Sequence, residues 1–490
     1  GAAWGTRDVC QGPAEYFLAT QHYDSVREII EIVYSHQYED DGNWPQWFMF
    51  DKYYQIQQEE SHGDIIVWPL KILSDYLLVT GDHDILNKKV PYTVKGEFSF
   101  TKESYPIYHH VMKEIEYINN HFIHDTYLSS YGDGDWDDTL QPANNQLRQY
   151  MVSSWTVALT YQAVRQMSIG LAKVDEEKSK ELAELAEHIK ADFQKYMLQD
   201  EIIPGFLYME DPNKPELMLH PEDNKTGIHY RLIPMTQSII SELFNLDQAE
   251  THYQVIKENL YFPDGVRLMN KPANYTGGNS VHFQRAEQAA NFGREVGLQY
   301  VHAHIRFIEA MAKLGNADEV WWGLKVINPI GIQKEVPNAE IRQSNAYFSS
   351  SDGKFNTRYE AQDNFDALRD GKVPVKGGWR IYSSGPGIYI NQLISNVLGI
   401  RIFADTLVVD PVLPKKLDGL EFEFELGEIP VTFVYHIQGN HVDNITINGE
   451  KVTHKSITNP YRSSGISLEL NDVTEKLAKD KENKIEIFMV

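Results

Sequence analysis

One cysteine in 490 residues, Cys10, leaves no partner for a disulfide within the chain, which fits a reducing compartment and predicts a cytoplasmic location. No long basic run occurs, and Asp plus Glu outnumber Lys plus Arg by 70 to 45, for a net charge of −25. Nucleic acid and anionic membrane surfaces repel such a chain, so neither is an expected partner. No apolar stretch reaches the roughly 18 residues a spanning helix needs, and no signal peptide is visible. The chain opens GAAWGTRDVCQGP, without Met and already dense in motif, so an upstream portion is expected. Aromatics, by contrast, are abundant: 12% of residues, with 9 Trp and 28 Tyr. Carbohydrate sites use such rings as stacking platforms, and large cores use them too.

Apolar residues at three-to-four spacing dominate from residue 13 to 400 and predict nine or ten helices. PAEYFLATQHYDSVREIIEIVYSH reads as one of them, and DIIVWPLKILSDYLLVTGD as another that stops at Gly81. Unequal connections join them, the longest at 37–62, 86–104, 124–148, 199–230, 262–294 and 328–384. Helical hairpins with long loops at one end predict an (α/α)6 toroid over 1–399 whose long loops gather at one mouth, with one hairpin upstream. After residue 400 the period changes to two, with turn residues such as Asn448-Gly449. That pattern predicts a C-terminal antiparallel β-sandwich, jelly-roll-like, over 400–490. The fold class is thus mainly α with a β domain.

Several segments carry chemistry. YGDGDWDDTL, residues 131–140, sets Asp133, Asp135, Asp137 and Asp138 around Trp136. A calcium loop of the EF-hand type needs Gly at its sixth position and Glu at its twelfth, where Asp138 and Asn144 stand. A solvated turn explains the glycines and not the Trp. A carboxyl pressed against an indole and other carboxylates suits a general acid, because desolvation and like charge both favour its protonated form. YSSGPG, residues 382–387, is a hydroxyl- and glycine-rich turn before a helix, a place where an anion is favoured. REVGLQYVH groups Arg294, Glu295 and His302. WGTRDVCQGP sets Arg7 and Asp8 at a helix start, as a local salt bridge or as a grip on sugar hydroxyls or phosphate. Trp44 and Trp47 in GNWPQWF are either a stacking surface or core anchors. His62 and Asp64 in ESHGDIIVWP have a metal-like spacing without a further Cys/His cluster, so no metal is expected.

Together these segments resemble the inverting β-glycoside phosphorylases of glycoside hydrolase family 94, which include cellobiose, chitobiose and β-1,2-oligoglucan phosphorylases. GTRDVCQG resembles the family's arginine–aspartate donor motif, and VTGDHDIL its Thr-Gly-Asp segment. GDWDDTL resembles its acid loop, EVGLQYVH its glutamate–histidine motif, and YSSG its phosphate turn. The resemblance implies catalysis by Asp138. It implies substrate binding by Arg7, Asp8, Trp136 and Glu295, with Trp44 and Trp47 on the acceptor side, and phosphate binding by His302, Ser384 and Gly385. The implied partners are an oligosaccharide or disaccharide and inorganic phosphate as co-substrate. No metal or organic cofactor is implied. A homodimer, or association with an N-terminal portion, is the implied assembly. Gly12, Asp137 and Ser384 stand where cellobiose-type members carry Asp, Asn and Thr. RDVCQGP and ESHGDIIVWP look more like the β-1,2-oligoglucan branch. The alternatives are a cellobiose- or cellodextrin-type phosphorylase, a hydrolase on the same toroid, and an inactive sugar-binding fragment.

Overall fold

The computed structural model describes residues 3–293, 296, 299–343, 347–378 and 384–490. Among the described residues, eleven helices have eight residues or more. They are α1 (Gly12–Ala19), α2 (Tyr23–Ser35), α3 (Trp68–Thr80), α4 (Ile107–Asn120), α5 (Ser154–Leu171), α6 (Glu176–Asp192), α7 (Leu232–Ile240), α8 (Leu246–Asn259), α9 (Val301–Leu314), α10 (Ala317–Lys325) and α11 (Ser384–Gln392).

The odd-numbered helices form a ring. Each packs on the next, and α11 closes against α1. The even-numbered ones lie outside it: α6 against α5, α8 against α7, α10 against α9, and α2 across α1 and α3. Sequence explains the sorting. Inner α5 buries fourteen of its eighteen residues, from Ser154 to Leu171, on nearly every face. Outer α6, EEKSKELAELAEHIKAD, buries Leu182, Leu185, Ala186 and Ile189, one stripe at three-to-four spacing. Closure of the ring depends on glycine: a β-carbon at Gly387 of α11 would lie 2.1 Å from the carbonyl oxygen of Gly12.

Two helix expectations change. The stretch 13–36 is two helices, because Gln21 takes a left-handed turn (φ 64°) between them. The short α10 was missed; Asn316 caps it through the Glu319 amide. The loops do gather as expected. The segments 37–62, 124–148, 199–230, 262–294 and 328–384 precede the inner helices α3, α5, α7, α9 and α11. The sixth, 86–104, contains most of a two-stranded ribbon, Lys89–Thr93 with Phe100–Pro106.

Short strands brace the mouth. β1 (Trp4–Gly5) pairs with β2 (Trp47–Phe48), and β3 (Gln299–Tyr300), β4 (Ser350–Gly353) and β5 (Val375–Gly378) form a three-stranded sheet. The C-terminal strands are β6 (Ile400–Phe403), β7 (Thr406–Val409), β8 (Glu421–Leu426), β9 (Ile429–Ile437), β10 (Val442–Ile447), β11 (Glu450–Lys451), β12 (Lys455–Ser456), β13 (Ile466–Glu469) and β14 (Lys484–Met489). They make two sheets, ordered β6-β7-β13-β12 and β8-β9-β14-β10-β11. Period two holds: Val431, Phe433, Tyr435 and Ile437 of β9 and Ile485, Ile487 and Met489 of β14 are buried. Asn448-Gly449 makes the tight β10–β11 turn with both φ angles positive. The all-antiparallel expectation needs one correction. β9 and β14 pair in parallel, because the chain returns from β13 through a helical crossover before its last strand.

Candidate active site

Residues from the start of every inner helix meet at the mouth. Arg7 precedes α1, His62 and Asp64 precede α3, the acid loop and Ser153 precede α5, Arg231 precedes α7, His302 opens α9 and Ser384 opens α11. Six helix N-termini therefore face one space, a local field that favours negative charge in a strongly acidic chain.

The four aspartates coexist because each has its own partner. Asp133 pairs with Arg148 at 2.6 Å near the surface. Asp135 is wholly buried and accepts from Arg231 Nη2 at 2.7 and 2.8 Å and from Ser153 Oγ at 2.7 Å. Asp137 accepts from the Thr139 amide and hydroxyl, capping the turn Asp138–Leu140. Asp138 stands 3.6 Å from Arg7 Nη1 and 3.5 Å from His62 Nδ1, with its side chain 31% exposed to the mouth.

Arg7 is the hub. Its Nε and Nη2 each donate to Asp64 at 2.7 Å, and Nη2 also donates to the Asp135 carbonyl at 3.0 Å. Burial works against its charge, but the attraction and hydrogen bonds of Asp64, then Asp138 and Asp8, raise it above the ordinary arginine value. Asp8 is pushed up to about 6 by burial, against the pull of Arg7 and with Asp138 adding to the rise. Its Oδ1 lies 3.5 Å from Ser384 Oγ, which lies 2.6 Å from His302 Nε2. The Tyr347 hydroxyl is 3.2 Å from His302 Nδ1. Burial, and then Arg306, lower His302 to about 3, so its imidazole is neutral. At Gly385 a β-carbon would meet the Tyr347 hydroxyl at 2.2 Å, so that turn has no room for a side chain.

The structure thus brings Arg7, Asp8, Trp136, Asp138, His302, Ser384 and Gly385 into one site. Trp136 is 5% exposed, stacked on Trp155 and edge-on to Tyr300 and His302. It is a wall rather than the open sugar grip expected of it. Trp44 is a correction: it is fully buried, donates from Nε1 to the Val33 carbonyl at 2.7 Å and meets Tyr34 edge-on. The loop folds its apolar ring into the core and leaves no face for a sugar. Trp47 is half-buried on β2, opposite in the strand alternation to core residue Phe48. Glu295 lies outside the described residues. Sequence reasoning missed Arg231 and weighed Asp64 only as a metal-like ligand, with no way to pair them with Asp135 and Arg7. The available signal was that a buried arginine and a buried aspartate each require a counter-charge.

Two comparisons bear on this arrangement. Residues 18–355 match the family described as "Glycosyl hydrolase 94 superfamily, catalytic domain". The chain belongs to that superfamily. Asp138 and His302 fall within the glycosyl hydrolase 94 match, while Arg7, Asp8 and Ser384 flank it. Residues 399–488 match "Glycoside phosphorylase C-terminal domain". Among curated relatives, the chain is 54% identical to the 1,2-beta-oligoglucan phosphorylase of Listeria innocua over 480 residues, 98% of this chain and 44% of that protein. It is 22% identical to the N,N'-diacetylchitobiose phosphorylase of Vibrio proteolyticus over 408 residues, 82% of this chain and 45% of that one. The chain therefore spans less than half the length of these relatives. Among the described residues no helix is long and apolar enough to cross a membrane.

Proposed function

We propose that this chain is the catalytic part of an inverting glycoside phosphorylase that cleaves a β-1,2-oligoglucan with inorganic phosphate, giving α-glucose 1-phosphate and a shortened sugar. Asp138 gives its proton to the departing glycosidic oxygen. Phosphate attacks C1 from the opposite face, so the C1–oxygen bond to the leaving sugar breaks as the C1–phosphate oxygen bond forms through an oxocarbenium-like transition state. His302, Ser384 and the Gly385 amide hold the phosphate. Arg7 and Asp8 grip the donor sugar, Trp47 borders the acceptor side, and Glu295 joins the donor contacts. No metal or organic cofactor takes part. Residues 1–399 are the catalytic toroid, 400–490 a jelly-roll-like β-sandwich closing its far end, and the protein acts in the cytoplasm.

The observation that carries this reading is the line of contacts from Asp138 through Arg7 and Asp8 to the Ser384–His302 pair at the start of α11. It links a carboxyl to a neutral imidazole, a hydroxyl and a helix N-terminus, an arrangement suited to an anionic nucleophile. The Listeria innocua relative supports the β-1,2 linkage. Incubation with a panel of β-linked glucobioses and glucotrioses, with and without phosphate, tests it. Glucose 1-phosphate should form from β-1,2 substrates, only with phosphate, and Asp138→Asn should lower that rate about 10²–10⁴-fold. Glucose release without phosphate, or a near-normal Asp138→Asn rate, overturns the reading.

A further inference from the structure

We propose that His62 is a positioning residue for the proton donor: its Nδ1–H orients Asp138 and takes up the charge left on that carboxyl once the proton departs. This deepens the reading above and rests on Asp138 being the acid.

Among the described residues, Asp138 Oδ1 is buried and makes no hydrogen bond. Arg7 Nη1 and His62 Nδ1 stand at 3.6 and 3.5 Å from it, just beyond the ~3.2 Å of a hydrogen bond. A buried carboxylate oxygen without a donor is costly. Two donors aimed at it from slightly too far are poised to close when charge appears, as catalytic hydrogen bonds tighten on the way to the transition state. Because Oδ1 is the enclosed oxygen, the 31% exposure of the side chain belongs mainly to Oδ2. Oδ2 is thus the oxygen that faces a substrate.

Gln141 Nε2 faces His62 Nε2 at 3.4 Å, and an amide nitrogen donates, so the imidazole hydrogen is assigned to Nδ1. Arg7 Nη2 also approaches Nδ1, at 3.1 Å, but its two hydrogens serve Asp64 Oδ1 at 2.7 Å and the Asp135 carbonyl at 3.0 Å. Nδ1–H then points between the Asp135 carbonyl, 3.1 Å away, and Asp138.

The segment that carries His62 is clamped to the acid loop by the His62–Gly132 bridge and by the Gly63 amide donating to Gly134 at 2.9 Å, and Gln46, just before β2, accepts from the His62 amide at 2.8 Å. Gly63 has no room for a side chain, since a β-carbon would lie 2.2 Å from the Tyr131 carbonyl oxygen. Gly134, at φ +140°, passes its backbone against the His62 ring. The charges near the acid are Arg7, Asp8 and Asp64, with Asp135 and Asp137 behind it in its own loop. Arg7 already balances Asp64, so a new negative charge on Asp138 needs a second donor, and His62 is the one within reach.

The test compares His62→Ala, His62→Asn and His62→Gln in phosphorolysis of a β-1,2-glucotriose and of a dinitrophenyl β-glucoside, whose leaving group needs no proton. Asn keeps an N–H near the Nδ1 position, and Gln moves it to the Nε2 position. His62→Ala should lower kcat on the glucotriose at least tenfold and less than threefold on the dinitrophenyl glucoside, and should move the alkaline limb of the pH profile upward. Asn should restore both readouts and Gln should not. Equal losses on both substrates, an unmoved limb, or Gln equalling Asn would overturn the proposal. If His62→Ala does not fold, the Asn–Gln difference decides. If the wild type makes no glucose 1-phosphate, the functional reading has failed. The positioning role is then read without turnover, from crystal structures of the two variants: the Asp138 carboxyl should keep its place in His62→Asn and turn from it in His62→Gln, and coincident carboxyl positions would overturn the proposal.

Discussion

Asp64→Asn should both destabilise the protein and disarm the site, for one reason. Asp64 is wholly buried, accepts two 2.7 Å bonds from Arg7 and one of 2.9 Å from Trp68 Nε1, and is the main counter-charge of a buried guanidinium. The amide keeps the shape but must turn its NH₂ toward a donor. Placing its oxygen on the shared Nε and Trp68 side leaves NH₂ facing Arg7 Nη2. Breaking one side of a buried pair costs about 3–5 kcal/mol; the low end applies here because the Asp135 carbonyl still holds Nη2. The freed charge then falls on the carboxyl 3.6 Å away, Asp138. Unit charges at that distance attract by about 5 kcal/mol at an effective dielectric of about 20, enough to close the pair and occupy the proton donor. Urea unfolding should therefore show a loss of about 3 kcal/mol, and glucose 1-phosphate production should fall at least about 10²-fold. Asp64→Glu cannot mimic the wild type, since its extra carbon has no space in a fully buried contact. If Asp64→Asn lost less than about 1 kcal/mol and kept most of its rate, Arg7 would not be the hub described here.

Three further outcomes follow from the same geometry. Asp8, at about 6, gains charge as pH rises through that value, and its Oδ1 is 3.5 Å from Ser384 Oγ. The phosphate KM should therefore climb above pH 6 in the wild type and climb less in Asp8→Asn, once the ionisation of phosphate itself is corrected for. His36, His110, His252 and His304 are lowered by burial to about 4 and His302 to about 3, from an ordinary 6.5. Neutral in the fold and protonated when unfolded, they contribute stability that is present above 6.5 and lost as pH falls through 4; each contributes about 1.4 kcal/mol per pH unit in that window, so acid unfolding should be steep. Trp44→Leu should lower stability by about 2–4 kcal/mol, through a cavity and the loss of the Nε1 bond to the Val33 carbonyl, which keeps the His36 amide, and leave the glucan KM unchanged; a raised KM with no loss of stability would return Trp44 to the acceptor side.

Local periodicity made the toroid legible, because its helices bury either every face or one stripe, and both patterns can be read along the chain. The break at Gln21 was not, since a left-handed glutamine in a helical pattern has no local signature. α10 is only nine residues long, and its signals, the Asn316 cap and the Ala317, Val320 and Leu324 stripe, were there to be read. The parallel β9–β14 pair was unreadable for a different reason. Alternation shows which face of a strand is buried and is silent about which neighbour it pairs with.

In the site, the residues that announce themselves are those whose local context is strange: four acids around a Trp, or an Arg-Asp at a helix start. Their meaning depends on residues whose context is ordinary. Asp64 and Arg231 sit where a helix begins, and nothing near them in sequence says they are buried. Yet each is required by a residue that was conspicuous, since a guanidinium or carboxylate out of water needs its opposite. Trp44 shows the converse. A Trp on a Gly/Pro loop has one local signature for two fates, and an apolar pocket with a carbonyl in reach of Nε1 decides between them. His62 is the case between: its spacing from Asp64 looked like metal chemistry, whereas both side chains meet Arg7 and His62 alone reaches on to the acid. Spacing along a chain fixes which residues can share a loop. Only the ring of six helix starts fixes which of them share a charge.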